Sequence, residues 1–247
     1  MIKLNSIPKE LEATYNEIIK IPKFSVKFDR DKRINEKLQY ISSYMPEISK
    51  GGYKILDIGT GPGEFLEVLR NYNCTSIGIN PPDNHRWSEI RDPKLANYHE
   101  ESIIKYNNFS KINIFRQKLD VLSIDMFSCF TNGNKELEKM KFNIINCQDA
   151  INLILIKYYD LNYAIDNYKN HHIFGKWLLS EEFYSCLKLM IKFFDKILLP
   201  GGAIMLVALI SSNDQEYSQK LIHTAKELGY NVEISKDYHI HKFRKTK

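Results

Sequence analysis

An aspartate followed by three alternate glycines is the pattern in this chain most suited to holding a small ligand. Asp57 precedes Gly59, Gly61 and Gly63, at the end of the short apolar run Lys54–Ile58. Glycines permit positive φ and carry no side chain, so a ligand can approach the backbone closely. An amphipathic stretch begins directly afterwards, and the start of a helix offers unpaired N–H groups. The pattern predicts a strand, a tight turn and a helix that form a ligand site.

The position of the acid distinguishes this pattern from a dinucleotide-binding turn. A pyrophosphate site has the spacing G-x-G-x-x-G, with an acid about 20 residues further on. Here the spacing is G-x-G-x-G, and Asp57 comes before the glycines. A carboxylate there would repel a pyrophosphate but suits a cationic group such as an amine.

The sequence D-x-G-x-G-x-G resembles motif I of the class I S-adenosylmethionine (SAM) methyltransferases. The string Leu198-Leu-Pro-Gly-Gly-Ala-Ile-Met-Leu-Val207 is similar to the turn before strand five of the same enzymes. The resemblance implies that the glycine turn passes beneath the methionine part of SAM and that the acid helps to hold it. An ordinary glycine-rich turn is the alternative. The residues expected to bind SAM are Asp57, Gly59, Thr60, Gly61, Pro62, Gly63, Glu64, Phe65, Asn80, Asp120 and Asp149.

Apolar runs and helical stripes on either side of this turn predict the rest of the fold. The fold class is α/β, a Rossmann-like class I methyltransferase sheet with helices on both faces. A helical N-terminal extension is predicted over residues 1–50 and the methyltransferase domain over 51–247. Besides Lys54–Ile58, strands are predicted at 75–79, 112–115, 142–147, 203–210 and 230–235, and helices at 8–21, 34–44, 181–199 and 214–228.

Polar residues follow several of these strands, at the sheet edge where open α/β sheets bind ligands. Asn80 ends strand two, where the family usually has an acid for the ribose hydroxyls, and Asp83 could take that role from the loop. Asp120 follows strand three, where the family often has an acid near the adenine amino group. Asp149 follows strand four, with Gln148 competing for the same alignment.

The family pattern ends with one more strand after strand six, and the sequence does not show it clearly. The chain runs there through His239-Ile-His-Lys-Phe-Arg244. Either this stretch is a short, charged edge strand or the strand is missing, which would expose a sheet edge. A partner chain at the edge near residues 236–247 is one expectation, and a truncated or degenerate protein is another.

Within the class I enzymes, the chain resembles the FtsJ-like RNA ribose 2′-O-methyltransferases over residues 34–244. The resemblance rests on the spacing from Lys37 to Asp57, on Ile79-Asn-Pro-Pro and on His241-Lys-Phe-Arg. That family uses a Lys–Asp–Lys–Glu tetrad. A lysine oriented by carboxylates can help a ribose hydroxyl to lose its proton as it attacks the sulfonium methyl.

The tetrad carries over only in part. Lys37 matches the first lysine and Asp149 the aspartate, so these two residues are the predicted catalytic pair. The central lysine would stand at Val207, and strand five contains no lysine. The glutamate belongs to the last strand, and Glu233 on strand six is a poor substitute.

Three functions therefore remain open. The leading prediction is methyl transfer to an RNA ribose 2′-hydroxyl, at a cap or in ribosomal RNA. A class I methyltransferase acting on a small molecule or protein would need only the SAM site, proximity and one base. The third is a catalytically inactive methyltransferase fold that serves as an RNA-binding or scaffold subunit.

The distribution of charge favours RNA as the partner. The net charge is +5, and basic residues concentrate in 20–37 and after Ser235. Basic termini suit a polyanionic substrate, and the aromatic segment from Tyr158 to Trp177 could stack bases. Solvated surface is the alternative for either basic cluster.

Other patterns narrow the setting. The four cysteines are scattered without C-x-x-C, which argues against a disulfide framework and predicts a reducing intracellular compartment, cytoplasm or nucleus. His171-His172 and His239-x-His241 lack a convincing third ligand, so no metal is predicted. No run approaches the ~20 apolar residues of a membrane helix, and the N-terminus lacks a signal core, so the protein is expected to be neither membrane-bound nor secreted.

Overall fold

Seven strands form a single mixed sheet in the order β3-β2-β1-β4-β5-β7-β6. The computed structural model of the chain describes residues 30–81, 110, 113–114, 117–148, 181–207, 214–235 and 240–245. The strands are β1 Lys54–Ile58, β2 Thr75–Asn80, β3 Val121–Ser123, β4 Phe142–Gln148, β5 Leu198–Val207, β6 Tyr230–Ile234 and β7 Ile240–Lys245. Neighbours among β1 to β5 are parallel, and β7 is antiparallel to β5 and β6. This is the predicted Rossmann-like methyltransferase sheet.

Helices cover both faces of the sheet, as predicted. On one face α5 buries Phe183 and Phe194, and on the other α1 buries Ile41 next to Met45, together with Leu69 of α2. The first described residues therefore share a core with the sheet, while the domain boundary at residue 50 stays a prediction. The helices of the described ranges are α1 Arg30–Tyr44, α2 Glu64–Arg70, α3 Met126–Asn132, α4 Lys135–Lys139, α5 Glu181–Ile197 and α6 Asp214–Glu227, with a 3₁₀ helix at Pro46–Lys50.

The third strand lies elsewhere than predicted. Asn113 and Ile114, inside the predicted strand 112–115, are helical, and the Gln117 N–H donates to the Asn113 carbonyl at 2.9 Å. β3 comes later in the chain. Ile114 is buried in the apolar layer beneath α1. This burial accounts for the apolar residue that had suggested a strand. A short apolar run does not by itself distinguish a strand from a buried helical segment.

The fifth strand begins before the Pro-Gly-Gly turn. β5 starts at Leu198, directly after α5, and its pairing with β4 shifts register before Ala203. The turn thus interrupts the ladder within the strand. The predicted strand is confirmed over 203–207, whereas 208–210 and the predicted helix 8–21 lie outside the described residues.

The final strand is present and lies inside the sheet. β7 pairs with β5 through Val207↔Ile240 and with β6 through Ile234↔His241. Both sequence-based expectations, a missing strand and a charged edge strand, are therefore wrong. Residues 240–245 already have a ladder partner on each side, so they do not offer the sheet edge expected for a partner chain. In the described sheet the edges are β3 and β6.

Paired charges explain why this strand was hard to recognise. Lys242 is only 6% exposed, and its Nζ donates to Glu47 Oε1 at 2.7 Å and to the Tyr44 carbonyl at 3.0 Å. His241 is fully buried, with Nε2 3.0 Å from Ser218 Oγ. Buried charged groups are tolerated when they are paired, so a strand this polar can lie between two others.

The basic tail is thus largely committed to the fold. Arg244 contacts Glu47 at 3.0 Å and Glu233 at 2.9 Å, and Lys245 Nζ lies 2.9 Å from Asp195 Oδ1. These carboxylates neutralise cations that the charge distribution had assigned to RNA. The prediction of an RNA surface at the C-terminal cluster is therefore corrected for the described residues of β7.

Candidate active site

The turn between β1 and α2 lies at the carboxyl edge of the sheet and has the geometry that its glycines predict. Gly59, Gly61 and Gly63 have φ values of 74°, 54° and 91°. A Cβ built on Gly63 would stand 2.3 Å from Leu119 Cδ1, so this position is closed to any side chain unless Leu119 moves. Gly59 is exposed, and its backbone faces solvent without a side chain over it.

Two asparagines hold this turn in place. Asn80 Oδ1 accepts from the Gly61 N–H at 2.9 Å, and Asn80 Nδ2 donates to the Gly61 carbonyl at 2.9 Å. Asn113 Nδ2 donates to the Pro62 carbonyl at 2.7 Å and to Glu67 Oε1 at 2.8 Å. Asn80 is thus a clamp on the glycine turn, a task the sequence did not indicate, and its contact with the ribose stays a prediction. Asn113 was missed because it lay in a predicted strand.

Asp57 is buried beneath the turn. It is 4% exposed, and its Oδ1 accepts from Asn146 Nδ2 at 2.7 Å. Burial raises the pKa of Asp57, while hydrogen bonds from Thr60 and Asn146 and the charge of Lys37 oppose the rise. The structure therefore surrounds this carboxylate with donors and a cation, as a site for a buried anion requires.

Glu64 and Phe65, both predicted to bind the cofactor, have partners within the chain. Glu64 is almost fully buried, and Arg33 approaches it with Nε 2.9 Å from Oε1 and Nη2 3.5 Å from Oε2. Burial raises the pKa of Glu64, and the Arg33 charge opposes the rise. Phe65 packs edge-on against Tyr40, with ring centroids 6.1 Å apart. Their contact with the cofactor stays a prediction.

One stripe of α1 supplies the polar contacts to this edge of the sheet. Arg33, Lys37 and Tyr40 follow one another at i, i+4 and i+7, which places them on one helix face. Lys37 Nζ donates to Gln148 Oε1 at 2.6 Å, and the Tyr40 hydroxyl donates to Asn146 Oδ1 at 2.9 Å. The apolar stripe of the same helix was visible in the sequence, whereas this polar stripe was not recognised except at Lys37.

Gln148, Val207 and Ile240 lie side by side across β4, β5 and β7, and Lys37 completes what we call the acceptor row. Among the described residues, the hydrogen-bond partner of Lys37 is the side-chain amide of Gln148. Val207 is half-buried and Ile240 is 8% exposed, both in the apolar layer beneath α1. Glu233 lies on the edge strand β6, paired with Arg244. Asp149, predicted as catalytic and cofactor-binding, lies outside the described residues.

The family of this chain is decided by its match to a protein-family model. The model of the FtsJ-like methyltransferases matches residues 32–223. The chain belongs to the FtsJ-like methyltransferase family. It is therefore a methyltransferase, and SAM is the cofactor that its family uses.

Solved structures resemble this FtsJ-like methyltransferase in outline. An O-methyltransferase family protein from Burkholderia thailandensis is 10% identical, with 97% of this chain and 69% of that chain covered and a TM-score of 0.44. A SAM-dependent methyltransferase from Archaeoglobus fulgidus is 17% identical, with 86% and 75% covered and a TM-score of 0.45. A methyltransferase from Pyrococcus furiosus is 14% identical, with 89% and 99% covered and a TM-score of 0.45. No match is found among the curated proteins.

The residues of this FtsJ-like methyltransferase fit the methionine end of SAM. Asp57 would offer a buried carboxylate to a cationic amine, and Gly59 is exposed, so a ligand could approach the backbone there. The closed position at Gly63 and the Asn80 clamp fix the path of the turn. SAM, when bound, supplies an electrophilic methyl group on a sulfonium.

The acid at the end of β3 is Asp125 and not Asp120. Asp120 precedes β3, and its carbonyl accepts from the Gly78 N–H at 2.8 Å, so it lies below the carboxyl edge. The expected position of Asp120 is therefore wrong. Asp125 follows β3 and caps α3, accepting from the Phe127 N–H at 3.1 Å and from Ser128 Oγ at 2.9 Å. The sequence signal for Asp125 was the residue type, because aspartate is a preferred N-cap at a helix start, and Ser128 follows three residues later.

The described part of the FtsJ-like chain also bears on metal binding and on membrane insertion. There, no three His, Cys, Asp or Glu side chains are grouped so as to hold a metal ion, and His171, His172 and His239 fall outside it. Among the described helices none has the length and apolar character needed to cross a membrane. None of the four cysteines forms a disulfide bond.

Proposed function

We propose that this FtsJ-like methyltransferase transfers the methyl group of SAM to a ribose 2′-hydroxyl of RNA. The observation that carries the proposal is the contact between Lys37 Nζ and Gln148 Oε1, at the carboxyl end of β4 beside the cofactor turn. An ammonium has three N–H donors, and Gln148 uses one of them. The others can orient an acceptor oxygen at the acceptor row.

The amide partner leaves the charge of Lys37 in place. A carboxylate at the position of Gln148 would neutralise the lysine, whereas an amide accepts a hydrogen bond and adds no charge. Lys37 can then stabilise the negative charge that develops on the acceptor oxygen as its proton leaves. In this proposal Lys37 contacts the acceptor hydroxyl, and Gln148 fixes its direction.

The RNA surface that we propose uses the N-terminal basic stretch, residues 20–37, and the aromatic segment 158–177. Lys32 is exposed on α1, one turn before Lys37. The cations of β7 are excluded from this surface, since they pair with carboxylates of the chain. Most of the proposed surface lies outside the described residues, so its support is charge and composition.

Transfer of a labelled methyl group from SAM to a short RNA tests the proposal. The expected product carries the label on a ribose 2′-oxygen, and an RNA with 2′-deoxyribose at the acceptor position stays unlabelled. Label in the deoxy substrate would contradict ribose chemistry. Absence of label in a wide panel of RNAs would overturn the proposal, and RNA binding without turnover would point to a scaffold.

The apolar half of the acceptor row favours a second candidate function. Val207 stands where the family tetrad predicts a lysine, Ile240 lies beside it on β7, and both suit a less polar acceptor. The second proposal is therefore methyl transfer to a small molecule or a protein. SAM turnover that is indifferent to added RNA would favour it over the ribose.

We also propose a reducing intracellular compartment. Its support is that none of the four cysteines, Cys74, Cys129, Cys147 and Cys186, forms a disulfide bond, and that three of them are buried. Loss of activity under oxidising conditions, reversed by a thiol reductant, is the expected observation.

A further inference from the structure

Tyr40, Asn146 and Asp57 form a buried chain of hydrogen bonds from α1 through β4 to β1. The Tyr40 hydroxyl lies 2.9 Å from Asn146 Oδ1, and Asn146 Nδ2 lies 2.7 Å from Asp57 Oδ1. The three residues are 7%, 0% and 4% exposed. Polar groups this deep cost free energy unless they are bonded, so each depends on the next.

The direction of each bond follows from the chemistry of the end groups. The Asp57 carboxylate can only accept, so the Asn146 amide must turn its NH₂ towards it. That orientation directs Oδ1 at Tyr40, and the phenol must therefore donate. The Tyr40 hydroxyl thus satisfies Oδ1 in the one amide orientation that gives Asp57 a donor, and so stabilises that orientation.

We propose that Tyr40 is a positioning residue of the cofactor site, which acts on Asp57 through Asn146. Asp57 and the glycine turn contact the cofactor, whereas Tyr40 does not. The inference depends on the SAM site and is independent of the identity of the methyl acceptor. It makes α1 part of the cofactor site, although the helix lies before the glycine motif in the sequence.

The ring of Tyr40 can be kept while its hydroxyl is removed. The ring packs against Tyr44 with centroids 5.7 Å apart and edge-on against Phe65 at 6.1 Å. Tyr40→Phe preserves those ring contacts and deletes the donor to Asn146. Tyr44→Phe is the matched control, because it removes a hydroxyl from the same helix and retains the backbone carbonyl that accepts from Lys242.

Calorimetric titration with S-adenosylhomocysteine measures the effect apart from turnover. We expect Tyr40→Phe to weaken the affinity about 3- to 10-fold, the equivalent of one hydrogen bond. Tyr44→Phe should bind like the wild type. Equal affinities for wild type and Tyr40→Phe would overturn the proposal.

A double-mutant cycle separates positioning from general stability. Because Tyr40 acts through Asn146, Tyr40→Phe should have little further effect on affinity in an Asn146→Ala background. Asn146→Ala alone also tests the chain if Tyr40→Phe folds poorly, and it should weaken affinity at least as much. Additive effects of the two substitutions, or a lower melting temperature with unchanged affinity, would contradict the proposal.

The pH dependence of affinity gives a second readout. Lys37 of α1 and Glu64 of α2 act on Asp57 with opposite charges, and the β2 residue in register is the uncharged Gly78. Without the oriented amide, Asp57 takes up its proton at a higher pH. The ratio of the two dissociation constants, variant to wild type, should therefore grow as the pH falls. A constant ratio would contradict the chain.

Discussion

The carboxyl edge of the sheet has two halves, the cofactor side around the glycine turn and the acceptor row. They differ in how many polar side chains they contain. On the cofactor side, Asn80 and Asn113 hydrogen-bond to the glycine turn, and Asp57 accepts from Asn146 beneath it. In the acceptor row, Lys37 and Gln148 are polar, and the next two positions are apolar. Among the described residues, the same sheet therefore has a closely hydrogen-bonded candidate cofactor turn beside an acceptor row whose cation is Lys37.

This difference teaches which part of the protein is constrained by a fixed ligand. A cofactor common to a family demands one turn geometry, and backbone φ values and close packing enforce it. The acceptor row can vary with the acceptor, because only its contacts with that molecule matter. Substitutions in the two halves should consequently affect different measurements.

Lys37→Met should have the largest effect. We expect turnover to fall about 100- to 10,000-fold, the usual contribution of a positioned acid–base group. S-adenosylhomocysteine affinity should change about fivefold at most, through the lost attraction between Lys37 and Asp57. Initial rates and calorimetry on the same preparation check both. Lys139→Met, at an exposed lysine of α4, is the control and should retain full turnover.

Gly63→Ala should lower both the stability of the protein and its affinity for the cofactor. The added Cβ would meet Leu119 Cδ1 at 2.3 Å and occupy a backbone with φ of 91°. We expect a loss of about 2–4 kcal/mol in unfolding free energy, with much weaker cofactor binding. Gly52→Ala is the control for strain alone, since its φ is 77° and no atom lies within 4 Å of the new Cβ. Denaturant unfolding that shows equal losses in both variants would refute the packing argument.

Glu47→Gln should destabilise the packing of β7, the strand that contributes Ile240 to the acceptor row. Burial raises the pKa of Glu47, but hydrogen bonds from Lys242 and Arg244 outweigh it and hold the pKa below its ordinary value. Stability from this carboxylate is thus present above its unfolded-state pKa and lost as the pH falls through the folded-state pKa. At neutral pH we expect a cost of about 1–3 kcal/mol, because Lys242 is left buried without its partner.

The pH series is the decisive part of that experiment. The difference in stability between wild type and Glu47→Gln should shrink in acid, and a difference that persists there would contradict the ion pair as its cause. Glu136→Gln is the control, because Glu136 pairs with Lys139 on the surface, where both side chains are largely exposed. Its stability should stay close to that of the wild type.

Asn80→Asp should have the smallest effect and separates two roles of this residue. A carboxylate cannot donate to the Gly61 carbonyl, so the clamp loses one bond and gains a repulsion. We expect affinity for S-adenosylhomocysteine to fall about tenfold. Tighter binding would instead show that an acid at the end of β2 acts on the ribose, as in most of the family. Asn134→Asp, at a helix N-cap that accepts either residue, is the control.

The sequence predicted the parts of the fold whose patterns are local. β1, β2, β4 and α5 agree with their predicted ranges to within two residues, because apolar runs and a helical stripe are bounded by glycine and proline. β7 could not be predicted, since the burial of Lys242 depends on Glu47, far away in the chain. The strand predicted at 112–115 was wrong, because the apolar character of Ile114 reflects packing against a turn and not membership of a strand.

The candidate site was predictable where a motif carries it and not where tertiary contacts do. The spacing from Asp57 to Gly63 is sufficient to locate the cofactor turn. Asn146 and Tyr40 carry no motif, and their importance follows only from the pairing of β4 with β1 and the placement of α1. Gln148 was one of two candidates in the sequence, and the bond to Lys37 favours it.

Titration of the wild-type protein with S-adenosylhomocysteine, first alone and then with a short RNA present, tests the central claim most directly. The claim is that the cofactor half is complete in this chain and adjoins a site for RNA. We predict a dissociation constant in the micromolar range without RNA and tighter binding with it. The absence of cofactor binding under both conditions would contradict this account.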